Sequence, residues 1–296
     1  MIHTLTIVGV GLIGGSIGLA AKKRGLAKVV RGLDRDTDRL QRALELGAID
    51  EFTLDPAEAA SSDLIVVCTP VDRIVPEALS LAKHAKPSTL LTDVGSTKAV
   101  IVEGIEAQLG EAAEGPHVVG SHPLAGSEKQ GVEFAAADLF ENRWSIVTPT
   151  GKSHPGAVQT IADFWRQLGA RVRLMEPGEH DQALAMTSHL PHLLAAALAG
   201  VLPQKWHELT ASGFRDSTRI ASGDPELWNA IFAQNRVSLL EALKALQSRL
   251  GEFQHALETD DQAAIDQLLR EAKRVRDSLQ NAALQTPASL PRKREE

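Results

Sequence analysis

The chain of 296 residues contains no tyrosine and a single cysteine, Cys68. Without a phenol it has no tyrosine acid or base, which excludes dehydrogenases of the short-chain type with their catalytic Tyr–Lys pair. One cysteine excludes an intramolecular disulfide framework and a cysteine-based structural zinc cluster. Cys68 closes the apolar run 64–67, where a small buried hydrophobe is its expected part. No uninterrupted apolar stretch reads as long enough to span a bilayer, and the N-terminus lacks the pattern of a signal peptide. The sequence therefore predicts a cytoplasmic protein with no membrane partner. Positive charge is not in excess either. With a formal charge of −7, no nucleic acid is expected, and an anionic ligand must be held by a local cation cluster.

At 43% apolar and 23% charged, the composition is that of a globular chain, and the length allows two domains. Residues 5–8 read as a strand, followed by Gly9-Val10-Gly11-Leu12-Ile13-Gly14, a helix to about Arg24, and a second strand ending at Asp34. A Gly-x-Gly-x-x-Gly pattern between a strand and a helix, with an acid twenty residues beyond Gly14, points to a dinucleotide. Gly9 permits the tight turn, Gly11 lets the pyrophosphate approach the backbone, and Gly14 lets helix and strand pack closely. The helix start at Leu12 and Ile13 offers free N–H groups to phosphate. Asp34 suits an adenosine ribose and repels a 2′-phosphate, favouring NAD over NADP, while Arg35 beside it tempers that preference.

The alternation continues. Leu64–Val67 is a strand leading to Thr69 and Pro70, which lie at the same sheet edge as the glycine loop and are expected to border the cofactor. The strand 89–93 opens into Val94-Gly95-Ser96-Thr97-Lys98. Ser96 and Thr97 are both suited to cap the next helix, and Ser96 also faces the cofactor crevice. The strand 117–119 runs into a loop, Gly120-Ser121-His122-Pro123-Leu124-Ala125-Gly126-Ser127-Glu128, that carries a histidine and a glutamate. His122 changes charge near neutral pH and is the natural proton acceptor. Strands at 144–148 and 171–175 complete a doubly wound, mostly parallel sheet over residues 1–176.

From Pro177 the patterns become helical. One long apolar-faced helix, 181–201, is interrupted by Ser188-His189-Leu190-Pro191-His192, where Pro191 predicts a kink whose freed backbone groups line a site. The polar stretch Asp216-Ser217-Thr218-Arg219-Ile220-Ala221 follows, then a helix from the Gly223–Pro225 turn past Trp228, and a last helix over 260–279. Residues 177–283 thus form an all-helical domain and 284–296 a loose tail. So apolar a helical half predicts a homodimer.

Together these motifs resemble the prephenate dehydrogenase family, with its arogenate and cyclohexadienyl relatives, over nearly the whole chain. The resemblance implies a Rossmann-type domain and a helical substrate and dimerisation domain. It also implies NAD-dependent oxidative decarboxylation of prephenate to 4-hydroxyphenylpyruvate, on the route to tyrosine, without a metal. His122 falls on the catalytic histidine, Ser96 on a serine that places it, and Arg219 on the arginine that holds the ring carboxylate. His192, Ser188 and His189 fall on positions lining the substrate pocket, and Glu128 and Asp216 on an acidic pair at its entrance.

Plainer readings stand beside these: an Asp216–Arg219 ion pair on a helix surface, Glu128 as a cap, His189 as a core histidine. Arogenate as substrate is the alternative reaction, and a non-catalytic NAD-binding sensor is the remote one. A β-hydroxyacid dehydrogenase would need a lysine on the first helix of the second domain, and the helix 181–201 has none. No fused mutase or regulatory domain is expected.

Overall fold

A computed structural model describes residues 2–109, 115–126 and 129–284. The chain separates into two compact units, Met1–Ser238 and Leu239–Glu296.

The first unit begins with β1 (Ile2–Val8), α1 (Leu12–Lys23), β2 (Ala27–Leu33), α2 (Thr37–Glu45), β3 (Glu51–Thr53), a short α3 (Pro56–Ala59) and β4 (Leu64–Val67). It continues with α4 (Val71–Ala82), β5 (Leu90–Asp93), α5 (Ala99–Leu109) and β6 (His117–Val118). These strands form one parallel sheet in the order β3-β2-β1-β4-β5-β6. Its centre is continuous apolar chain: Leu64–Val67 is buried at every position, as a strand covered on both faces must be. The order reverses between β1 and β4, and at such a switch point the carboxyl ends of the strands open a crevice.

The glycine loop lies at that point. Gly9 has φ 87°, and a Cβ there would meet the Cys68 carbonyl at 3.1 Å, so the loops after β1 and β4 touch. A Cβ on Gly14 would stand 2.3 Å from the Gly9 carbonyl oxygen, which is the close helix–strand packing its position implies.

Two strands expected in the main sheet, together with a segment expected as a loop, form a second one. β7 (Gly120–Pro123) pairs antiparallel with β8 (Trp144–Thr148), which pairs parallel with β9 (Arg171–Leu174). The chain leaves the main sheet at Val119, whose N–H makes a last bond to the Leu91 carbonyl at 3.0 Å. His122 therefore sits on a strand opposite Ile146, not in a loop. The local sequence hid this because a Gly/Ser/Pro run reads as a turn unless a partner strand supplies its hydrogen bonds. Ser121 anchors the strand: its hydroxyl donates to the Asp93 carbonyl at 2.6 Å and accepts from the Trp165 indole at 2.9 Å. Trp165 belongs to α6 (Pro155–Gln167) and is fully buried.

The helical part starts with α7 (Pro177–Leu184), passes through a π-turn at Ala185–His189, and continues as α8 (Leu190–Gly200). The expected proline kink takes the form of this wide turn, a way to absorb the N–H that Pro191 lacks. Among the described helices, the run Pro177–Gly200 does reach the length and hydropathy of a membrane span, longer than the sequence reading allowed. It nonetheless buries His180 and Asp181 against polar partners. Next come α9 (Ser212–Thr218), α10 (Pro225–Gln234) and α11 (Arg236–Glu258), which begins in the first unit.

Thus residues 177–238 cluster with the α/β part, and the compact units divide inside α11. In the second unit, α12 (Gln262–Leu284) follows a turn at Asp260 with φ 52°. Arg249 bonds Glu252 on its own helix at 2.8 Å and Glu271 on α12 at 3.3 Å. Leu250, Leu257, Leu269 and Val275 are exposed. The tail expected at 284–296 lies, beyond Leu284, outside the described residues.

The Gly14 contact gives a direct test of the packing. Gly14→Ala should lower stability by about 1–3 kcal/mol, the usual cost of overpacking, read as a reduced midpoint in urea denaturation.

Candidate active site

Around His122 the sequence segments converge. Its ring is 8% exposed, and Nδ1 lies 2.9 Å from Nε2 of His180, itself fully buried on α7. Nδ1 of His180 lies 2.8 Å from Oδ1 of Asp181. The Asp181 carboxylate also accepts the N–H groups of Lys98 at 2.7 Å and Ala99 at 2.9 Å. The start of α5 is therefore capped by a residue more than eighty positions away, and neither Ser96 nor Thr97 is its cap. Thr97 instead donates to Gln234 at 2.5 Å.

Lys98 is buried completely and pairs with Asp93 at the end of β5. Burial lowers the Lys98 pKa while Asp93 draws it back up. Burial holds His122 well below the ordinary 6.5, and the neighbouring His180, Lys98 and His189 push the same way. A histidine so placed is neutral at pH 7 and able to accept a hydrogen bond.

A second cluster spans the π-turn, α8, α10 and the residue that ends α10. Asn235 donates from Nδ2 to the Asp181 carbonyl at 2.7 Å and to Nδ1 of His189 at 3.0 Å. Both amide hydrogens are thereby used, His189 Nδ1 must accept, and Nε2 carries the proton. That Nε2 is buried and has no partner among the described residues. An unmet buried donor is costly unless a ligand meets it. His192 stacks on Trp228 with ring centres 3.5 Å apart, and its Nδ1 donates to the Ser188 carbonyl at 2.9 Å. Burial lowers its pKa, the bond to the Ser188 carbonyl raises it, and the charge of Arg219 lowers it further.

Arg219 and Asp216 are exposed, and among the described residues no ion pair joins them. Ser188 and Ser96 are half-buried. The Ser96 hydroxyl makes no hydrogen bond among the described residues, and His180 is the neighbour bonded to His122. Glu128 lies outside the described residues.

The glycine loop fits a dinucleotide. A Cβ on Gly11 would meet nothing within 4 Å, so the backbone there is open to a ligand. No side chain caps α1 and its first turn carries no acid, leaving the N–H groups of Leu12, Ile13 and Gly14 for phosphate. Thr69 Oγ1, on the facing loop beside Pro70, is buried without a partner among the described residues. Asp34 is tied to the loop by the Val10 N–H at 3.2 Å. The cation that reaches Asp34 is Arg39, at 3.2 Å, whereas Arg35 is exposed.

His180, Asp181, Asn235, Trp228, Lys98 and Arg39 escaped the sequence reading as site residues. Only Lys98 carried a signal, as a charge closing the 93–98 segment. The others matter through contacts across 36 to 83 positions, or five positions for Arg39, which no local pattern encodes.

The buried histidines set a pH response. His189 has a folded pKa of about 4 against 6.5 for the free side chain, so between those values the unfolded chain binds more protons. Stability therefore falls as pH drops from 6.5 towards 4. Thermal midpoints measured across that window should decline, and His189→Gln should make the decline shallower.

Two family models cover this architecture in order: prephenate dehydrogenase, nucleotide-binding domain, matches residues 17–174, and prephenate dehydrogenase, dimerization domain, matches 176–273. The prephenate dehydrogenase of Bacillus subtilis is 34% identical, with 94% of this chain and 76% of that protein covered. The cyclohexadienyl dehydrogenase of Zymomonas mobilis is 31% identical, with 93% and 95% covered. The crystal structure of prephenate dehydrogenase from A. aeolicus, in complex with hydroxyphenyl propionate and NAD+, superimposes with a TM-score of 0.88 at 30% identity, covering 94% of this chain and 99% of that one. Sequence, domain order and fold agree over the same residues, and the chain belongs to the prephenate dehydrogenase family.

Proposed function

We propose that this protein is an NAD-dependent dehydrogenase that oxidatively decarboxylates prephenate to 4-hydroxyphenylpyruvate. The observation that carries the reading is His122: a buried histidine held neutral by its surroundings, on a strand fixed to the end of β5. The similar protein from A. aeolicus bound to NAD+ and a hydroxyphenyl acid supports the cofactor and the substrate class.

Bound NAD supplies the hydride acceptor; the glycine loop, Thr69, Pro70 and Asp34 hold it. The chain's own residues do the rest. As hydride leaves C4, positive charge builds on the carbon that bears the hydroxyl. His122 accepts a hydrogen bond from that hydroxyl and draws electron density towards the carbon, an effect worth about a hundred- to ten-thousand-fold in rate. The ring carboxylate leaves as carbon dioxide, and the electrons of the broken C–C bond complete the aromatic ring. The hydroxyl proton stays on oxygen in the product, so reaction with NAD balances without a net proton to the protein.

Arg219 binds a substrate carboxylate with two parallel hydrogen bonds. His189 Nε2–H meets a second oxygen, and His192 and Ser188 border the ring. Ser96 lines the cofactor side, and Asp216 stands at the entrance. The domain description and the exposed leucines of α11 and α12 support a homodimer.

Kinetics and light scattering test this. Purified protein should form NADH with prephenate and NAD, and His122→Asn should lower kcat by about 10²–10⁴ with its fold intact by circular dichroism. The wild-type kcat/KM should stay flat from pH 8 down to 6.5, because the acid limb belongs to a histidine titrating well below that value. Arg219→Ala, at an exposed position, should raise KM about 10- to 100-fold, the loss of a charged hydrogen bond. Arogenate run in parallel reads out the alternative substrate, and no turnover with either acid favours an NAD-binding sensor. By light scattering the protein should be a dimer that Leu250→Glu with Leu257→Glu weakens.

A further inference from the structure

We infer that His180, oriented by Asp181, is a positioning residue that fixes His122 in the tautomer with Nδ1 protonated and Nε2 bare. This rests on His122 being the hydrogen-bond acceptor proposed above, and it assigns a task to two residues so far described only by their contacts.

The donors around Asp181 fix the tautomer. Asp181 is met by three: the N–H groups of Lys98 and Ala99 and the Nδ1 of His180. A carboxylate in that setting offers only lone pairs, so His180 must present Nδ1–H to it. A neutral His180 then has a bare Nε2. That atom faces His122 Nδ1 at 2.9 Å, and two lone pairs cannot share such a contact. His122 Nδ1 therefore carries the hydrogen, and its Nε2 is left as an acceptor.

The opposite arrangement would need a cationic His180, which its complete burial opposes. The tautomer matters because free imidazole prefers the hydrogen on Nε2. Left alone, His122 would offer the substrate hydroxyl a donor where the reaction needs an acceptor. Orientation of a histidine through its second nitrogen is a general device of enzyme sites. Here it runs through a second histidine, which reaches from α7 to β7.

Asp181 also caps α5, so its removal would disturb folding, and the discriminating substitutions are at His180. In His180→Gln the terminal amide oxygen can stand where Nε2 stood and still accept from His122 Nδ1. In His180→Leu nothing accepts. The direct readout is the nitrogen NMR spectrum of the histidine-labelled full-length protein with NAD bound, with His122 assigned by its loss in His122→Asn. Wild type and His180→Gln should show His122 protonated at Nδ1, and His180→Leu should shift it to Nε2. In turnover, His180→Leu should lose at least about tenfold in kcat with KM within a few-fold of wild type, while His180→Gln keeps most of the activity.

Protonation of His122 at Nε2 in the wild-type protein would overturn the inference without need of any variant. So would wild-type kcat in His180→Leu alongside an inactive His122→Asn. An active His122→Asn would instead overturn the proposed function, so the two failures are distinguishable.

Discussion

Two backbone hydrogen bonds hold the site together: those from Lys98 and Ala99 at the start of α5 to the carboxylate of Asp181 on α7. A helix start has N–H groups that need partners, and here the partner comes from the helical part of the chain, not from a neighbouring serine or threonine. The cap therefore joins the end of β5, where Lys98 and Asp93 pair, to the segment that carries His180 and leads on to His189 and His192. Asn235 adds to the same joint, because it donates to the Asp181 backbone and to His189 at once. Capping, positioning of the buried histidines and attachment of α7 to the α/β layer are one interaction.

That joint also explains the electrostatics. His122, His180, Lys98, Asp93 and Asp181 are all removed from water, and isolated charges there would be very costly. Lys98 and Asp93 satisfy each other, and Asp181 is met by three donors. The histidines remain as neutral members of the group. A buried site with matched ions and neutral rings gives an acceptor whose state does not change over the pH range in which cells live.

Much of the fold could be read from residues alone, because its determinants are local. The glycine loop, Asp34 and the continuous apolar strands specify a parallel sheet, and the onset of helical periodicity at Pro177 marks where it ends. Gly120–Pro123 reads as a loop because its strand character comes from β8, more than twenty residues on. The cap of α5 was given to Ser96 or Thr97 for the same reason: nothing near them announces Asp181. Of the site, His122 could be picked out by residue type and place, and Arg219, His189 and His192 by family resemblance. His180 and Asp181 looked like the ordinary polar start of a helix. Pairings set by tertiary contact leave no period in the sequence, and they are where reading fails.

The placement of His122 on β7 has a bearing on how such a chain can change. Its strand is pinned by Ser121 to β5 and by register to β8, whereas Arg219, Ser188 and His192 belong to separate helical turns, that of His192 stacked on Trp228. The proposed reacting group and the proposed substrate-binding groups therefore sit on different mechanical supports. Substitutions in the helical turns can reshape the guest the protein accepts while the strand keeps its histidine still. Related acids can in this way become new substrates through small edits in one part of the molecule, with the chemistry inherited unchanged from the other.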